Sequence, residues 1–294
     1  LVLNALLQPG DKLVVPHDAY GGSWRLFDAL ARKGHFELVT ADLTDPRSLA
    51  DALARSTKLV LIETPSNPLL RITDLRFVIE AAHRAGALAV VDNTFLSPAL
   101  QNPIKLGADF VVHSTTKFIN GHSDVVGGAV ISADAEDHQT LAWWANCTGV
   151  TGSPFDAYLT LRGVRTLFAR IERQQATAGK IAEKLAAHPA VKAVHYPGLK
   201  SHPNHVLVAA QQAGPGAMLS FELQGGTDAV RTRLPAGTKR ALFARLLLQD
   251  AEIILLDEPT EGLAPVIVEQ IALAGDGKAQ QSLHRVHPHG VAID

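Results

Sequence analysis

The sequence of 294 residues contains a single cysteine, Cys147, and a single methionine. One cysteine cannot form a disulfide within the chain, so a reducing, cytoplasmic location is expected. We expect Cys147 to be a small buried hydrophobic residue rather than a nucleophile. An excess of one charge is also lacking, because 27 basic residues face 29 acidic ones. A formal net charge of −2 gives no field that attracts nucleic acid or an anionic membrane, and neither is expected as a partner.

Long apolar runs are absent as well. None reaches the roughly 18 residues that a membrane span needs. No signal peptide is visible, although the sequence begins with Leu1 rather than Met. With 47% hydrophobic residues, the composition is that of a globular protein with a sizeable core and one or two domains.

Short apolar runs alternate with helical patterns in the first half of the chain. The runs lie in KLVVPHDAYGG, KLVLIETPSNP, ALAVVDNTF and DFVVHSTTK, and such runs are typical of parallel strands buried on both faces. Helices are predicted in DPRSLADALARST, which begins with Asp-Pro, and in ITDLRFVIEAAHRAG, which stops at Gly86. This alternation predicts an open, doubly wound α/β sheet.

Polar side chains follow each of the four apolar runs. They occupy residues 17–20, 63–67, 92–94 and 114–117. In open parallel sheets, ligands bind beyond the carboxyl ends of the strands. We therefore expect an aromatic ring, an amide, a carboxylate and a lysine to face one crevice.

The pattern changes twice in the second half. After residue 151 it is helical to about residue 199, and a strand is predicted at residues 218–223. Near residue 230 the segment RALFARLLLQDAEIILLDEP predicts a helix and then a buried strand at residues 253–256. The predicted domains are residues 1–174, a large domain, residues 175–230, the start of a small C-terminal domain, and residues 231–294, an unrelated tail.

Lys117 lies among hydroxyl groups at the end of a predicted strand. A lone lysine there is most often solvated. Pyridoxal phosphate, however, requires a lysine that forms an imine, hydrogen-bond donors for its phosphate, a carboxylate facing its ring nitrogen and a flat residue against its ring. Lys117, Ser114 and Thr116, Asp92 and Tyr20 offer these groups in that order.

Each of these residues also has an ordinary structural interpretation. Asp92 in DNT could form an Asx turn, Tyr20 in AYGG could pack against a turn, and Ser114 and Thr116 could cap a helix. The combination favours the cofactor site. An opposite charge within a few ångströms shifts a pKa by about 1–3 units, or about 1.4–4 kcal/mol, which would keep the cofactor ring protonated.

The segment DFVVHSTTKFINGHS resembles the signature of the cysteine and methionine metabolism family of pyridoxal phosphate enzymes. PHDAYGGSWRLF, ETPSNPLLR, VVDNTFLSPALQNP and AWWANCTGVTGSPFDAYLTLRG resemble that family in the same order and spacing, and the resemblance covers residues 1 to about 226. It implies an aspartate-aminotransferase-like (fold type I) large domain with an open, mostly parallel sheet. An incomplete α+β C-terminal domain would follow.

The resemblance also implies a role for each site residue. Lys117 would hold the cofactor and move protons, and Tyr20 would stack on the ring and help release the lysine. The other cofactor-binding residues that it implies are Asn67 and Thr94 near the ring hydroxyl, Asp92 at the ring nitrogen, and Ser114 and Thr116 at the phosphate. No metal is expected.

The reaction implied by the resemblance is the γ-replacement of transsulfuration, a step of methionine biosynthesis. An O-acylated homoserine would lose its acyl group, and cysteine would add at Cγ to give cystathionine. The alternative is a lyase that cleaves a C–S bond of cystathionine. Because the family is typically tetrameric, a homo-oligomer acting on small amino-acid substrates is expected.

Some family features have no counterpart in this sequence. A Tyr-x-Arg segment and a Ser-Gly-Met loop, both at the phosphate, would precede Leu1. The arginine that binds the substrate carboxylate, in a strand of RLSVG type, has no match after residue 226, where Arg231, Arg233, Arg240 and Arg245 stand in other contexts. We therefore expect impaired activity of this chain as given.

The tail resembles a different family. RALFARLLLQDAEIILLDEPTEGLAP is similar to the Walker B region of ABC ATPases, where Asp257 would bind Mg²⁺ through water and Glu258 would polarise the attacking water. The sequence has no G-x-x-x-x-G-K-[ST] loop to cradle phosphates. An ATPase half-module fragment is thus a second alternative, weaker than a non-functional segment, and residues 253–256 are a candidate replacement strand for the small domain. A zinc site in HRVHPHG is not favoured, because no helix fixes its histidines.

Overall fold

A computed structural model describes residues 1–225 and 253–256 of the chain. Its first sheet has six strands in the order β2-β1-β3-β4-β5-β6. Strands β1 to β5 are parallel, and β6 runs antiparallel to β5. The strands are β1 Lys12–Pro16, β2 Glu37–Ala41, β3 Leu59–Glu63, β4 Leu88–Asp92, β5 Phe110–Ser114 and β6 Gly128–Ser132. The prediction of an open, mostly parallel sheet is confirmed.

Nine α-helices and one short 3-10 helix, Pro103–Leu106, accompany the strands in the described part of the chain. They are α1 Val2–Leu6, α2 Gly21–Arg32, α3 Pro46–Leu53, α4 Leu75–Arg84, α5 Ser97–Leu100, α6 Ala135–Thr148, α7 Pro154–Val164, α8 Leu167–Ala186 and α9 His205–Gln211. Both helices predicted from their first residues are present. Asp45 caps α3 by accepting the N–H of Arg47, and Asp74 caps α4 in the same way. Helix α4 ends just before Gly86, whose φ is 74°.

The six-stranded sheet is buried on both faces. Helices α3 and α4 cover one face, and helices α1, α2 and α6 cover the other. Because side chains alternate along a strand, every residue of a central strand meets one of these two cores. Val14, Val60 and Val91 face the first core, and Leu13, Leu59 and Val90 face the second. This arrangement explains the nearly unbroken apolar runs of the sequence.

A second, antiparallel sheet follows α8. Its strands are β7 Val191–His195, β8 Leu219–Leu223 and β9 Ile253–Leu256, in that order. Strand β9 runs antiparallel to β8, with Leu256 opposite Leu219. The prediction of a strand at residues 253–256 is therefore confirmed, and this strand extends the sheet that β7 and β8 form.

The structure corrects the prediction for Cys147 and leaves the predicted domain boundaries untested. Cys147 lies exposed near the end of α6, so the expectation of a buried cysteine is wrong. The domain boundary predicted at residue 174 falls inside the continuous helix α8, and the three-domain division stays a prediction. Among the described residues, no helix has the length and apolar character needed to cross a membrane.

Candidate active site

Four neighbouring strands of the large sheet, β1, β3, β4 and β5, end at the same edge. Glu63 and Asp92, the last residues of β3 and β4, are partners in the parallel register. Strand β5 ends beside them at Ser114. All seven residues predicted for the site lie at or just after these strand ends: Tyr20, Asn67, Asp92, Thr94, Ser114, Thr116 and Lys117. The structure thus brings the predicted residues to one edge of the sheet.

Asp92 is held by its neighbour Thr94. The backbone N–H and the hydroxyl of Thr94 both donate to Asp92 Oδ1, at 3.0 Å and 2.6 Å. The same hydroxyl accepts the backbone N–H of Ser114 at 2.9 Å, which joins the ends of β4 and β5. Burial raises the pKa of Asp92, and the bonds from Thr94 act against this rise. A carboxylate in such surroundings is stabilised by a cationic partner.

Tyr20 caps the first turn of α2. Its backbone N–H donates to Glu63 Oε2 at 2.8 Å, and its carbonyl accepts the N–H of Trp24 at 2.9 Å. The side chain of Tyr20 is 55% exposed and lies across Gly22, where an added Cβ would come within 2.6 Å of the ring. The glycine therefore leaves room for a flat, accessible ring at the edge of the site.

Lys117 stands in the turn that follows β5 and is half-buried. Its N–H donates to the carbonyl of Ser114, and its carbonyl accepts the N–H of Gly121. The hydroxyl of Thr116 accepts the N–H of Gly127 at 3.0 Å. These bonds tie the turn to the start of β6, so the lysine has a defined backbone position.

Arg170 of α8 fixes the far side of this turn, and the sequence analysis did not identify it. The guanidinium donates to the carbonyls of Phe118 and Gly163 at 3.0 Å and 2.9 Å. Phe118 itself is fully buried in a cluster with residues of α8. Gly163 of α7 approaches Asn120 so closely that any Cβ would overlap the asparagine carbonyl. Helices α7 and α8 therefore hold the segment that carries Lys117.

Glu63 is a second site residue that the sequence analysis did not assign a role. The side chain is only 8% exposed. Burial is the largest cause that raises its pKa, the hydrogen bond from Tyr20 lowers it, and the negative charges of Asp92 and Asp18 add to the rise; together they place the pKa at about 8. Glu63 is therefore largely a neutral acid at pH 7. The register of β3 with β4, which no local pattern reveals, creates this environment.

Asn67 lies half-buried in the turn after β3, between cis peptide bonds at Thr64–Pro65 and Asn67–Pro68. Its neighbour Ser66 donates to Asp18 at 2.7 Å, which joins this turn to the one after β1. The expectation that Asn67 and Thr94 lie near a ring hydroxyl stays a prediction.

Several residues discussed above lie outside the described residues. They are Asp257 and Glu258 of the Walker B-like segment, the histidines of HRVHPHG, and Arg231, Arg233, Arg240 and Arg245. Within residues 1–225, no group of three or more His, Cys, Asp or Glu side chains could hold a metal ion.

The donor set fits pyridoxal phosphate. A half-buried carboxyl, an accessible aromatic ring, two hydroxyl residues and a lysine lie along one sheet edge, and these are the groups that the aldehyde, ring and phosphate of this cofactor need. The fold and site together define an α/β protein of the pyridoxal phosphate-dependent class.

Comparison with known proteins then gives the family. The family model described as Cys/Met metabolism PLP-dependent enzyme matches residues 1–244. The chain belongs to this family, which confirms the resemblance stated from the sequence. The matched range extends past residue 226, the limit expected for the resemblance from the sequence.

Individual relatives agree with this assignment. The chain is 54% identical over 231 residues to cystathionine gamma-synthase of Escherichia coli (strain K12), covering 79% of this chain and 60% of the relative. A solved cystathionine gamma-synthase from Xanthomonas oryzae pv. oryzae, in complex with aminoacrylate and cysteine, is 56% identical with a TM-score of 0.85. That match covers 97% of this chain and 79% of the other. Cystathionine gamma-lyase of Dictyostelium discoideum is 44% identical over 232 residues, covering 79% of this chain and 60% of the relative. The chain thus spans about six tenths of the length of these curated relatives.

Proposed function

We propose that this chain carries the cofactor-binding part of a transsulfuration enzyme that makes cystathionine from an O-acylated homoserine and cysteine. The observation that carries the proposal is the link between Asp92 and the end of β5 through the hydroxyl of Thr94. This link sets a half-buried carboxyl beside the strand that leads into Lys117. The identity of 54–56% to proteins named cystathionine gamma-synthase supports the same reaction.

When bound, pyridoxal phosphate supplies an aldehyde and an electron-withdrawing ring. Asp92 would hold the proton of the ring nitrogen, and Thr94 would keep the carboxyl of Asp92 in its orientation. Ser114 and Thr116 would bind the phosphate, with Asn67 near the ring hydroxyl. Together these residues would hold the cofactor at the edge of the sheet.

Two residues would act at the reacting atoms. Lys117 is the amine that would hold the cofactor and then move protons at the α- and β-carbons of the amino-acid substrate. Tyr20 would cover the exposed ring face and exclude water from it. Its accessibility in the structure is consistent with a residue whose partner is a ligand.

A homo-oligomer is also proposed, because α7 carries an apolar stripe that faces outward. Phe155, Tyr158 and Leu161, spaced three residues apart, are 67%, 61% and 57% exposed. Large exposed patches of this kind mark interaction sites, and a second copy of the chain is the expected partner. Leu161→Asp should lower the mass measured by light scattering, whereas Lys105→Asp should not; an unchanged mass for Leu161→Asp would contradict this assignment.

The cytoplasmic location stays a prediction.

The proposal is tested by trapping the cofactor. The full chain is incubated with pyridoxal phosphate, reduced with borohydride, digested and mapped by mass spectrometry. We expect a single modified site at Lys117. Absence of a modified lysine, or modification spread over several surface lysines, would overturn the cofactor assignment.

The substrate is tested separately. Cystathionine formed from cysteine and O-succinylhomoserine supports the synthase, and breakdown of cystathionine alone supports the lyase. The lyase is kept as the second candidate because a relative named cystathionine gamma-lyase matches an equal share of the chain, 79%.

A further inference from the structure

Glu63 connects two parts of the site that are far apart in the sequence. Its Oε2 accepts the backbone N–H of Tyr20 at 2.8 Å, a bond that spans 43 residues. Its strand position places it in register with Asp92. One side chain therefore stands between the residue proposed to stack on the cofactor ring and the residue proposed to pair with the ring nitrogen.

The bond to Tyr20 satisfies a need of helix α2. The first backbone N–H groups of a helix have no partner within the helix, and a side chain normally supplies one. Tyr20 makes no side-chain cap, and the next two residues are glycines. Glycine loses more conformational freedom on folding than any other residue, so this turn needs an external anchor. Glu63 provides it from the neighbouring strand.

We propose that Glu63 is a positioning residue that holds Tyr20 at the mouth of the cofactor site beside Asp92. The inference rests on the proposed function, because Tyr20 and Asp92 are assigned to the cofactor there. It adds a residue that is not proposed to touch cofactor or substrate. Glu63 would instead fix the backbone position from which the side chain of Tyr20 extends.

The charges around Glu63 agree with this role. Asp92 of β4 and Asp18 of the β1–α2 turn are the negative groups that act on it. Asp18 has partners of its own, since Ser66 donates to it and Arg71 lies 3.7 Å away. A neutral acid at position 63 can accept from Tyr20 without placing a further negative charge beside Asp92.

The test compares four variants of the full chain. Glu63→Gln keeps an acceptor of the same length, Glu63→Ala removes it, and Glu63→Asp retracts it by one methylene. Glu37→Gln, an exposed glutamate of β2 that pairs with Arg55, is the matched control. Two quantities are measured for each: the amide exchange rate of Tyr20 by NMR, and the Kd and absorbance of added pyridoxal phosphate.

We expect Glu63→Ala and Glu63→Asp to speed the exchange of the Tyr20 amide, and to raise the Kd for the cofactor, each by about fivefold to tenfold, as the loss of one hydrogen bond predicts. Glu63→Gln should match the wild type at pH 7 in both, and Glu37→Gln should change neither. If Glu63→Ala does not fold, Glu63→Asp gives the same comparison.

The outcomes separate the two hypotheses. A wild-type chain that binds no cofactor refutes the proposed function, while the exchange rates still report on Glu63. Cofactor binding by the wild type with unchanged exchange in Glu63→Ala and Glu63→Asp overturns the inference. So does a failure of Glu63→Gln to restore both quantities, since the acceptor would then not be the feature that matters.

Discussion

Glu63 and Asp92 end two adjacent parallel strands and are partners in the register of the sheet. Desolvation raises the pKa of both carboxyl groups, and the negative charge of Asp92 adds to the rise at Glu63. The edge of the sheet is therefore a site that favours protons or an incoming cation, and this property can be measured without any ligand.

The first prediction concerns stability against pH. The pKa of Glu63 is raised to about 8 from an ordinary 4.5. Between these values the folded chain binds a proton that the unfolded chain lacks, so stability falls as pH rises, by about 1.4 kcal/mol per pH unit. Burial lowers the pKa of His113 to about 4 from 6.5, which acts in the opposite direction but only below pH 6.5. From pH 6.5 to 8 the dependence that belongs to Glu63 is therefore obtained by comparing the wild type with a variant that lacks this carboxyl.

Glu63→Gln removes this dependence. Between pH 6.5 and 8 the free energy of unfolding of the wild type should fall by about 2 kcal/mol, and that of the variant should not show this fall. The measurement is urea unfolding at both pH values, with Glu37→Gln as the control. Parallel curves for Glu63→Gln and wild type would show that Glu63 ionises normally.

The second prediction concerns Lys117. Lys117→Ala should abolish the borohydride-trapped cofactor adduct and leave the melting temperature within a few degrees of the wild type, because the side chain is only half-buried. Lys105→Ala, at an exposed lysine twelve residues earlier, should keep the adduct. A trapped adduct that persists in Lys117→Ala would assign the chemistry to another lysine.

The third prediction concerns the link between β4 and β5. Thr94→Val removes the hydroxyl that donates to Asp92 and accepts from Ser114. It leaves the backbone N–H of Ser114 without this acceptor and Asp92 Oδ1 with one donor instead of two, so we expect a loss of stability of about 1–3 kcal/mol. Thr94→Ser keeps the hydroxyl and should restore most of the loss. The measurement is urea unfolding together with the Kd for pyridoxal phosphate. A fully stable Thr94→Val with normal affinity would show that the link is dispensable.

Much of the large sheet could be predicted because its central strands are buried on both faces. Strands β1, β3, β4 and β5 appear in the sequence as apolar runs. Strands β2, β6 and β7 were missed. Each lies at the edge of its sheet, and their residues are mostly exposed or half-buried. Edge strands need no continuous apolar run, so the periodicity carries little signal.

The site could be predicted only in part, for a similar reason. The seven predicted residues follow strand ends, which local patterns reveal. Glu63 and Arg170 act through contacts that span 43 and 52 residues. Such contacts depend on how strands and helices pack, and a single sequence does not display them. Cys147 was misplaced because composition alone says nothing about which side of α6 it occupies.

The last prediction concerns the close approach of α7 to the lysine turn. Gly163→Ala would place a methyl group on the carbonyl of Asn120. Alanine is favoured over glycine in a helix by about 1 kcal/mol, so propensity alone predicts stabilisation. Overlap with backbone cannot be relieved by a rotamer change, and it typically costs about 1–3 kcal/mol or more. The overlap should prevail, with a net loss of stability and a displaced lysine turn.

The matched control is Gly152→Ala, at a glycine with open space around it. Melting temperature and cofactor Kd are measured for both variants. Gly163→Ala should lower the first and raise the second, because α7 and Arg170 together hold the segment from Phe118 to Asn120. Gly152→Ala should leave both near the wild type. If Gly163→Ala is instead as stable as the wild type and binds the cofactor equally well, the lysine turn is not held by its contact with α7.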